Sequence, residues 1–276
     1  MHGALVTHVC CPPHTQVMHG APMTHLCCHE GAERCISIAL EDRGSVTRPP
    51  QSLIRMWNCK LDCAGEYLVP THKLVGVSAH VMCAIVFDAK FEWRTGPPVN
   101  VLAVASVDGH IRFFDLEKLS LLGELDLLNS VCTCMTSFSI RRMDGVDGEH
   151  HILAWGDDKG RVRLMTQDVL LECCRRGSYA TASLAFVEMV VSEQWMTSLL
   201  WLVDLELLIV ADQTGTIKVI EGREPPQQQV SGGGTGGARR PMSLLTHERN
   251  ARLHVVSTVS SMHALAVKVM CWCVGR

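Results

Sequence analysis

Apolar and polar positions along this chain fall into short runs, and one run recurs four times. Leu53-Ile54-Arg55-Met56-Trp57-Asn58, His110-Ile111-Arg112-Phe113-Phe114-Asp115, Arg161-Val162-Arg163-Leu164-Met165-Thr166 and Thr216-Ile217-Lys218-Val219-Ile220-Glu221 align without gaps. The second column is β-branched (Ile54, Ile111, Val162, Ile217), the third a cation (Arg55, Arg112, Arg163, Lys218), the next two large and apolar, the last polar. Short runs rich in β-branched and large apolar residues predict strands. A cation held at one column among apolar neighbours predicts a stem lying on apolar surface with its head in water.

A second apolar run and a turn precede three of these strands. They are Val101 to Ser106 with Asp108-Gly109, Ile152 to Trp155 with Asp157-Asp158-Lys159-Gly160, and Leu207 to Ala211 with Asp212-Gln213-Thr214-Gly215. Gly permits positive φ and Asp bonds its own backbone, so each pair predicts a β-hairpin. The first unit has Cys35 to Leu40 and a longer connection through Gly44 and Pro49-Pro50. Inner strands are expected near Val81 to Phe87, Val131 to Ile140 and Met196 to Val203. Outer strands are expected near Tyr67 to Val75, Leu119 to Leu125 and Val169 to Cys174.

Equivalent β-branched residues are 57, 51 and 55 positions apart, longer than a compact propeller blade of about 40 to 45 residues. The surplus is expected in the polar stretches Arg141 to His150 and Arg175 to Ser192, and in the Gly/Pro/Gln-rich residues 224–241, which predict a flexible insertion.

The hairpin Leu102-Ala103-Val104-Ala105-Ser106-Val107-Asp108-Gly109-His110-Ile111-Arg112-Phe113-Phe114-Asp115 resembles that of the WD-repeat β-propeller family, and the likeness extends over about residues 34 to 221. The resemblance implies an all-β fold of propeller blades, each a four-stranded antiparallel sheet, in an incomplete or fragmentary ring. It also implies that Ser106 and Asp108 hold the strand and turn positions of the family's structural hydrogen-bond network. Phe114-Asp115 stands where the family has Trp-Asp, as does Trp57-Asn58 in the first unit. Phe114 has no indole N–H to donate, so the network is incomplete there. Lys159 and Thr214 occupy the turn Asp position in the third and fourth units, with Asp158 and Asp212 close by, and His80 is a degenerate form of the family's Gly-His histidine. The expected layout is a His/Cys-rich duplicated segment without fixed structure over 1–34, blades over 35–223, the insertion over 224–241 and further blade strands over 242–276.

Composition fits that layout. The chain has 276 residues, 47% hydrophobic and 19% charged, enough for a packed core. With 25 Lys plus Arg against 28 Asp plus Glu, the net charge of −3 gives no global field for nucleic acid or an anionic membrane. The start lacks a cationic flank before an apolar stretch, and no apolar run reaches the roughly 18 to 20 residues of a membrane helix. An intracellular, cytoplasmic protein is expected, with cytoskeletal or ciliary assemblies among its settings. Its fourteen cysteines are then expected as thiols rather than a disulfide framework.

Candidate chemistry is sparse. Met1 to Cys11 recurs as Met18 to Cys28, concentrating His8, Cys10, His25 and Cys27, residue types that ligate zinc. No CxxC accompanies them, and a tandem duplication of this kind also reads as low-complexity sequence. Gly76-Val77-Ser78-Ala79-His80 lacks the second glycine of a nucleophile elbow. Asp158-Lys159-Gly160 lacks the surroundings of a phosphate loop, and Asp144 to Glu149 lacks the spacing of a calcium loop. The expectation is a non-enzymatic scaffold that binds other proteins within a complex and takes no cofactor, nucleic acid or membrane. The alternative is a metal-binding or redox-responsive protein using the His/Cys-rich start.

Overall fold

The computed structural model describes residues 23–29, 34–41, 51–62, 65–74, 79–89, 98–118, 120–141, 149–166, 187–223 and 252–259. They form sixteen strands and, among the described residues, no helix. The strands make four antiparallel four-stranded sheets, each a meander in chain order. The first holds β1 (Met23–His29), β2 (Arg34–Glu41), β3 (Gln51–Asp62) and β4 (Gly65–Leu74), and the second β5 (Val81–Ala89), β6 (Val99–Ser106), β7 (His110–Asp115) and β8 (Ser120–Asp126). The third holds β9 (Cys132–Arg141), β10 (Glu149–Asp157), β11 (Arg161–Thr166) and β12 (Val187–Val190), and the fourth β13 (Met196–Leu202), β14 (Leu207–Asp212), β15 (Ile217–Arg223) and β16 (Arg252–Val259). In strand number, order and connectivity these are propeller blades, as the repeat predicts.

The gap-free alignment survives at the level of register. The cation-bearing strands are β3, β7, β11 and β15. Pairing with the outer strand slips between Met56 and Trp57, Phe113 and Phe114, and Val219 and Ile220, which are the same two columns in three sheets. A bulge bends the strand and increases its twist, so the recurrence means that these sheets are shaped alike. The inner strands slip too, at Met23/His25, Val81/Cys83 and Met196/Ser198.

Two compact units divide the described residues, the first ending at Cys132 and the second starting at Thr133. In the first, Ile36 and Ile38 of β2 and Ile54 and Met56 of β3 pack against Val81 of β5, Leu102 and Val104 of β6, and Phe114 of β7. Burying a Val, Leu, Ile or Phe side chain contributes about 1.5–3 kcal/mol. A single sheet cannot enclose such residues, so the stacked pair is the stable unit. In the second unit the core joins β9, β10 and β11 to β13, β14 and β15, with the Phe138 and Trp201 rings stacked at 4.1 Å and 8°. Gly156 on β10 permits this approach, because a Cβ there would lie 2.6 Å from Met196 Cβ and 2.9 Å from Cys134 Sγ.

Two expectations change, and a third element falls within the 242–276 stretch expected to hold further strands. The second copy of the N-terminal duplication is not without structure, since Met23–His29 is β1 and pairs with β2 in a ladder from Met23↔Ala39 to His29↔Arg34. Its Cys27 side chain packs against the core of the unit. The outer strand of the third sheet is Val187–Val190 rather than Val169 to Cys174, so part of the supposed Arg175 to Ser192 loop closes the blade. Arg252–Val259 is the fourth strand of the last sheet, joined to β15 across the insertion. Residues 1–22, 142–148, 167–186, 224–251 and 260–276 lie outside the described residues.

Candidate functional site: the hairpin-turn rim

The β6–β7, β10–β11 and β14–β15 turns share one construction. Gly109, Gly160 and Gly215 have φ of 81°, 70° and 79°, a region in which a Cβ is strained. Each glycine amide donates back to the last residue of the preceding strand, at Ser106, Asp157 and Asp212. The next connection closes over the turn in the same way in both units. Leu127 donates its amide to the Gly109 carbonyl and Val191 donates its amide to the Gly160 carbonyl, both at 2.9 Å.

The carboxylates are committed to these turns. Asp212 is buried and its Oδ1 accepts the Thr214 and Thr216 amides and the Thr214 hydroxyl, while Oδ2 accepts the Ser192 hydroxyl at 2.8 Å. Burial pushes its pKa up, but the donors from Thr214, Ser192 and Thr216 outweigh that, so it stays below the usual carboxylate value. In the third sheet the equivalent residue is Asp157 rather than the expected Asp158. Asp157 is fully buried and accepts the Lys159 and Arg161 amides at 2.9 Å, whereas Asp158 is a partly exposed turn residue. The position is set by register, because the last residue of the second strand is the one aimed into the turn.

In the second sheet Ser106 takes that buried position and the acid moves to Asp108 in the turn. Arg112 binds both Asp108 oxygens, at 3.3 and 2.7 Å, and also donates to Ser106 Oγ at 3.3 Å. Burial raises the Asp108 pKa, and the Arg112 guanidinium and the His110 amide together hold it below its ordinary value. Asp115 caps the next turn by accepting the Glu117 and Lys118 amides at 2.8 and 3.0 Å. Phe114 packs in the core of the first unit. Trp57 and Asn58 fall on β3, paired with Cys35 and Arg34, and their side chains lie outside the described residues. His80 gives its carbonyl to the Val107 amide at 2.9 Å.

The cation column does not reach into water as expected. Arg112 meets Glu124 of β8 at 3.0 Å, and Arg163 meets Glu188 of β12 at 2.5 Å and Asp157 at 3.3 Å. Each glutamate is the register partner of its arginine on the outer strand. Lys218 donates to the Val191 carbonyl. Arg112 and Arg163 therefore tie the third strand of their sheets to its turn and its outer strand, whereas Lys218 reaches from the fourth sheet to the segment that follows β12.

A threonine column escaped the sequence reading. At the inner-strand slips of β1 and β13, Thr24 and Thr197 donate their hydroxyls to the carbonyls of Ile38 and Ala211 on the second strand, at 3.1 and 3.2 Å, and on β9 the Thr133 hydroxyl lies 2.5 Å from the Met196 carbonyl and 3.2 Å from that of Gly156. Its signal is an apolar residue followed by Thr at the start of three of the four inner strands, Met23-Thr24, Cys132-Thr133 and Met196-Thr197.

Of the four metal candidates, His8 and Cys10 lie outside the described residues. His25 Nε2 lies 2.8 Å from the Met82 carbonyl, and the Cys27 thiol donates to the Ala84 carbonyl at 3.2 Å. Both side chains are thus turned to backbone oxygens of β5. Among the described residues, no three His, Cys, Asp or Glu side chains converge as metal ligands, and no helix is long and apolar enough to cross a membrane.

Exposed apolar side chains stand beside these turns in each unit. Val107 and Leu128 flank the β6–β7 turn in the first unit, and in the second Trp195, half exposed, stands beside the β14–β15 turn, where its carbonyl accepts the Gln213 amide. An open groove of about 480 Å³ in the second unit is lined by Val190, Ser192, Gln194, Thr214, Lys218 and Thr258, among others.

No protein-family model matches the chain, and no curated protein matches it. Among solved structures it is similar to the crystal structure of the computationally designed Ika4 protein, at 16% identity and a TM-score of 0.44 over 73% of this chain and 91% of that one. At that level the likeness adds nothing to what the strand pairing establishes.

Proposed function

We propose that this chain is a non-enzymatic protein-binding scaffold of WD-repeat type, acting within a multiprotein complex. The observation that carries the reading is the division of labour at the turns of each unit. Asp108, Asp157 and Asp212 are engaged in holding turns and cations, while Val107, Leu128 and Trp195 are left exposed beside those turns. Rigid turns that present apolar and aromatic side chains suit recognition of another protein, since aromatic anchors contribute disproportionately to interface energy.

The test is affinity purification of the full chain beside a Val107→Ser, Leu128→Ser, Trp195→Ala variant, with quantitative mass spectrometry of the co-purifying proteins. Stoichiometric partners held by the parent chain and depleted tenfold or more from the variant are expected. An identical set of partners on both chains, or no stoichiometric partner on either, would overturn the assignment to these residues.

A further inference from the structure

Two thiols meet in the first unit, away from the N-terminal duplication. Cys83 follows the register slip in β5, and Cys132 lies 49 positions later in sequence. Their sulfurs are 3.6 Å apart, and Cys83 Sγ also lies 4.0 Å from the Cys132 carbonyl oxygen. Cys132 is fully buried, whereas Cys83 is partly exposed. A bonded pair of sulfurs is separated by about 2.05 Å, so the two need approach by only about 1.5 Å for the bond to form.

We propose that Cys83 and Cys132 are a peroxide-sensitive dithiol that closes to an intramolecular disulfide. The Cys83 thiolate attacks hydrogen peroxide, forming an S–O bond and breaking the O–O bond. The released hydroxide leaves as water with the thiol proton, and Cys83 is left as a sulfenic acid. The Cys132 sulfur then attacks the Cys83 sulfur, the S–S bond forms and the S–O bond breaks, and the second hydroxide takes the Cys132 proton. In sum, two thiols lose two protons and two electrons, and one peroxide becomes two waters. Exposure assigns the order, because the oxidant reaches the partly exposed sulfur first and the buried one resolves it.

The bond fastens β5 to Cys132, the residue at which the chain leaves the first unit. A cross-link over that length restricts the unfolded chain, so the oxidised protein should melt at a higher temperature than the reduced one. The inference rests on other residues than the scaffold reading and does not need it.

The experiment uses the full chain, reduced, freed of reductant and exposed to a few equivalents of hydrogen peroxide, in buffer and in urea. Remaining thiols are alkylated and the protein is digested with trypsin without reduction. The folded sample is expected to yield residues 74–90 linked to residues 119–141, two hydrogens lighter than the separate peptides and released by dithiothreitol. Fragmentation should place the link at Cys132 rather than Cys134, and urea should abolish its preference over other pairs. In Cys132→Val the link is lost and Cys83 accumulates as a dimedone-trapped sulfenic acid. Should that variant not fold, Cys83→Ser gives the same answer if Cys132 then stays alkylatable in denaturant after peroxide. A link from Cys83 to another cysteine, or Cys83 passing to sulfinic acid in the parent chain as fast as in Cys132→Val, would overturn the proposal.

Discussion

Arg163 Nη1 lies 3.3 Å from Asp157 Oδ2, with the two side chains 6% and 0% exposed. Removing one member of a buried pair strands the other charge away from water, which costs roughly 3–5 kcal/mol. Arg161 Nε still reaches the same oxygen at 2.8 Å, so Arg163→Met is expected to lose about 3 kcal/mol, the low end of that range. Arg112→Met removes a pair whose acid, Asp108, is 31% exposed, and should lose about 1 kcal/mol. Urea denaturation of both variants checks the order, and equal losses would mean that Asp157 is less isolated from solvent than its burial indicates.

Gly160 and Gly109 separate two costs of a side chain at the turn. Both have positive φ, so alanine at either is strained by about 1–2 kcal/mol. At Gly109 the new Cβ meets only the Ser130 carbonyl oxygen at 3.1 Å, but at Gly160 it falls 1.9 Å from the Ser192 carbonyl oxygen and 2.5 Å from its carbon. Gly160→Ala must therefore displace the backbone that closes over the turn and is expected to lose clearly more stability than Gly109→Ala. Thermal melts of the two variants give the comparison.

The repeat was legible because the third strand of each blade repeats its chemistry column by column, so Ile54, Ile111 and Ile217 mark equivalent backbone positions, borne out by recurring register slips. The turn acids were only half legible. Asp157 and Asp158 are adjacent in sequence, and which one is aimed into the turn depends on where β10 ends. The arginine pairing was hidden for a different reason, since Glu124 and Glu188 come from outer strands reached through connections of different length. Strand β12 itself is four residues long with alternating exposure, too short to stand out in a polar stretch. The duplication pointed toward metal chemistry because composition cannot tell a ligand from a side chain that bonds a backbone oxygen, as His25 and Cys27 do.

Thr197 and Thr133 offer a test of the threonine column. Thr→Val conserves shape and deletes the hydroxyl that donates to Ala211 from Thr197 and to the Met196 or Gly156 carbonyl from Thr133. A buried hydrogen bond contributes about 1 kcal/mol net, so each variant is expected to lose that much and the pair of substitutions about twice as much. Both threonines lie in the second unit, so a single unfolding transition reads them. Unchanged stability in both variants would reduce the column to a steric preference at the slip.

His25 makes the stability of the first unit depend on pH. Burial lowers its pKa below 6.5, the Met82 carbonyl acts in the opposite direction, and nearby His80 lowers it further, with a net lowering. The folded state thus releases a proton that the unfolded chain holds below pH 6.5, so the unfolded state binds more protons as the solution is acidified. By linkage, the contribution is fully present above 6.5 and is lost as pH falls from there through the lowered folded value. His25→Gln keeps an amide donor for the Met82 carbonyl and cannot titrate. The parent chain is expected to lose more melting temperature than this variant between about pH 7.5 and about pH 5. A gap that stays constant across the range would assign the acid sensitivity to groups other than His25.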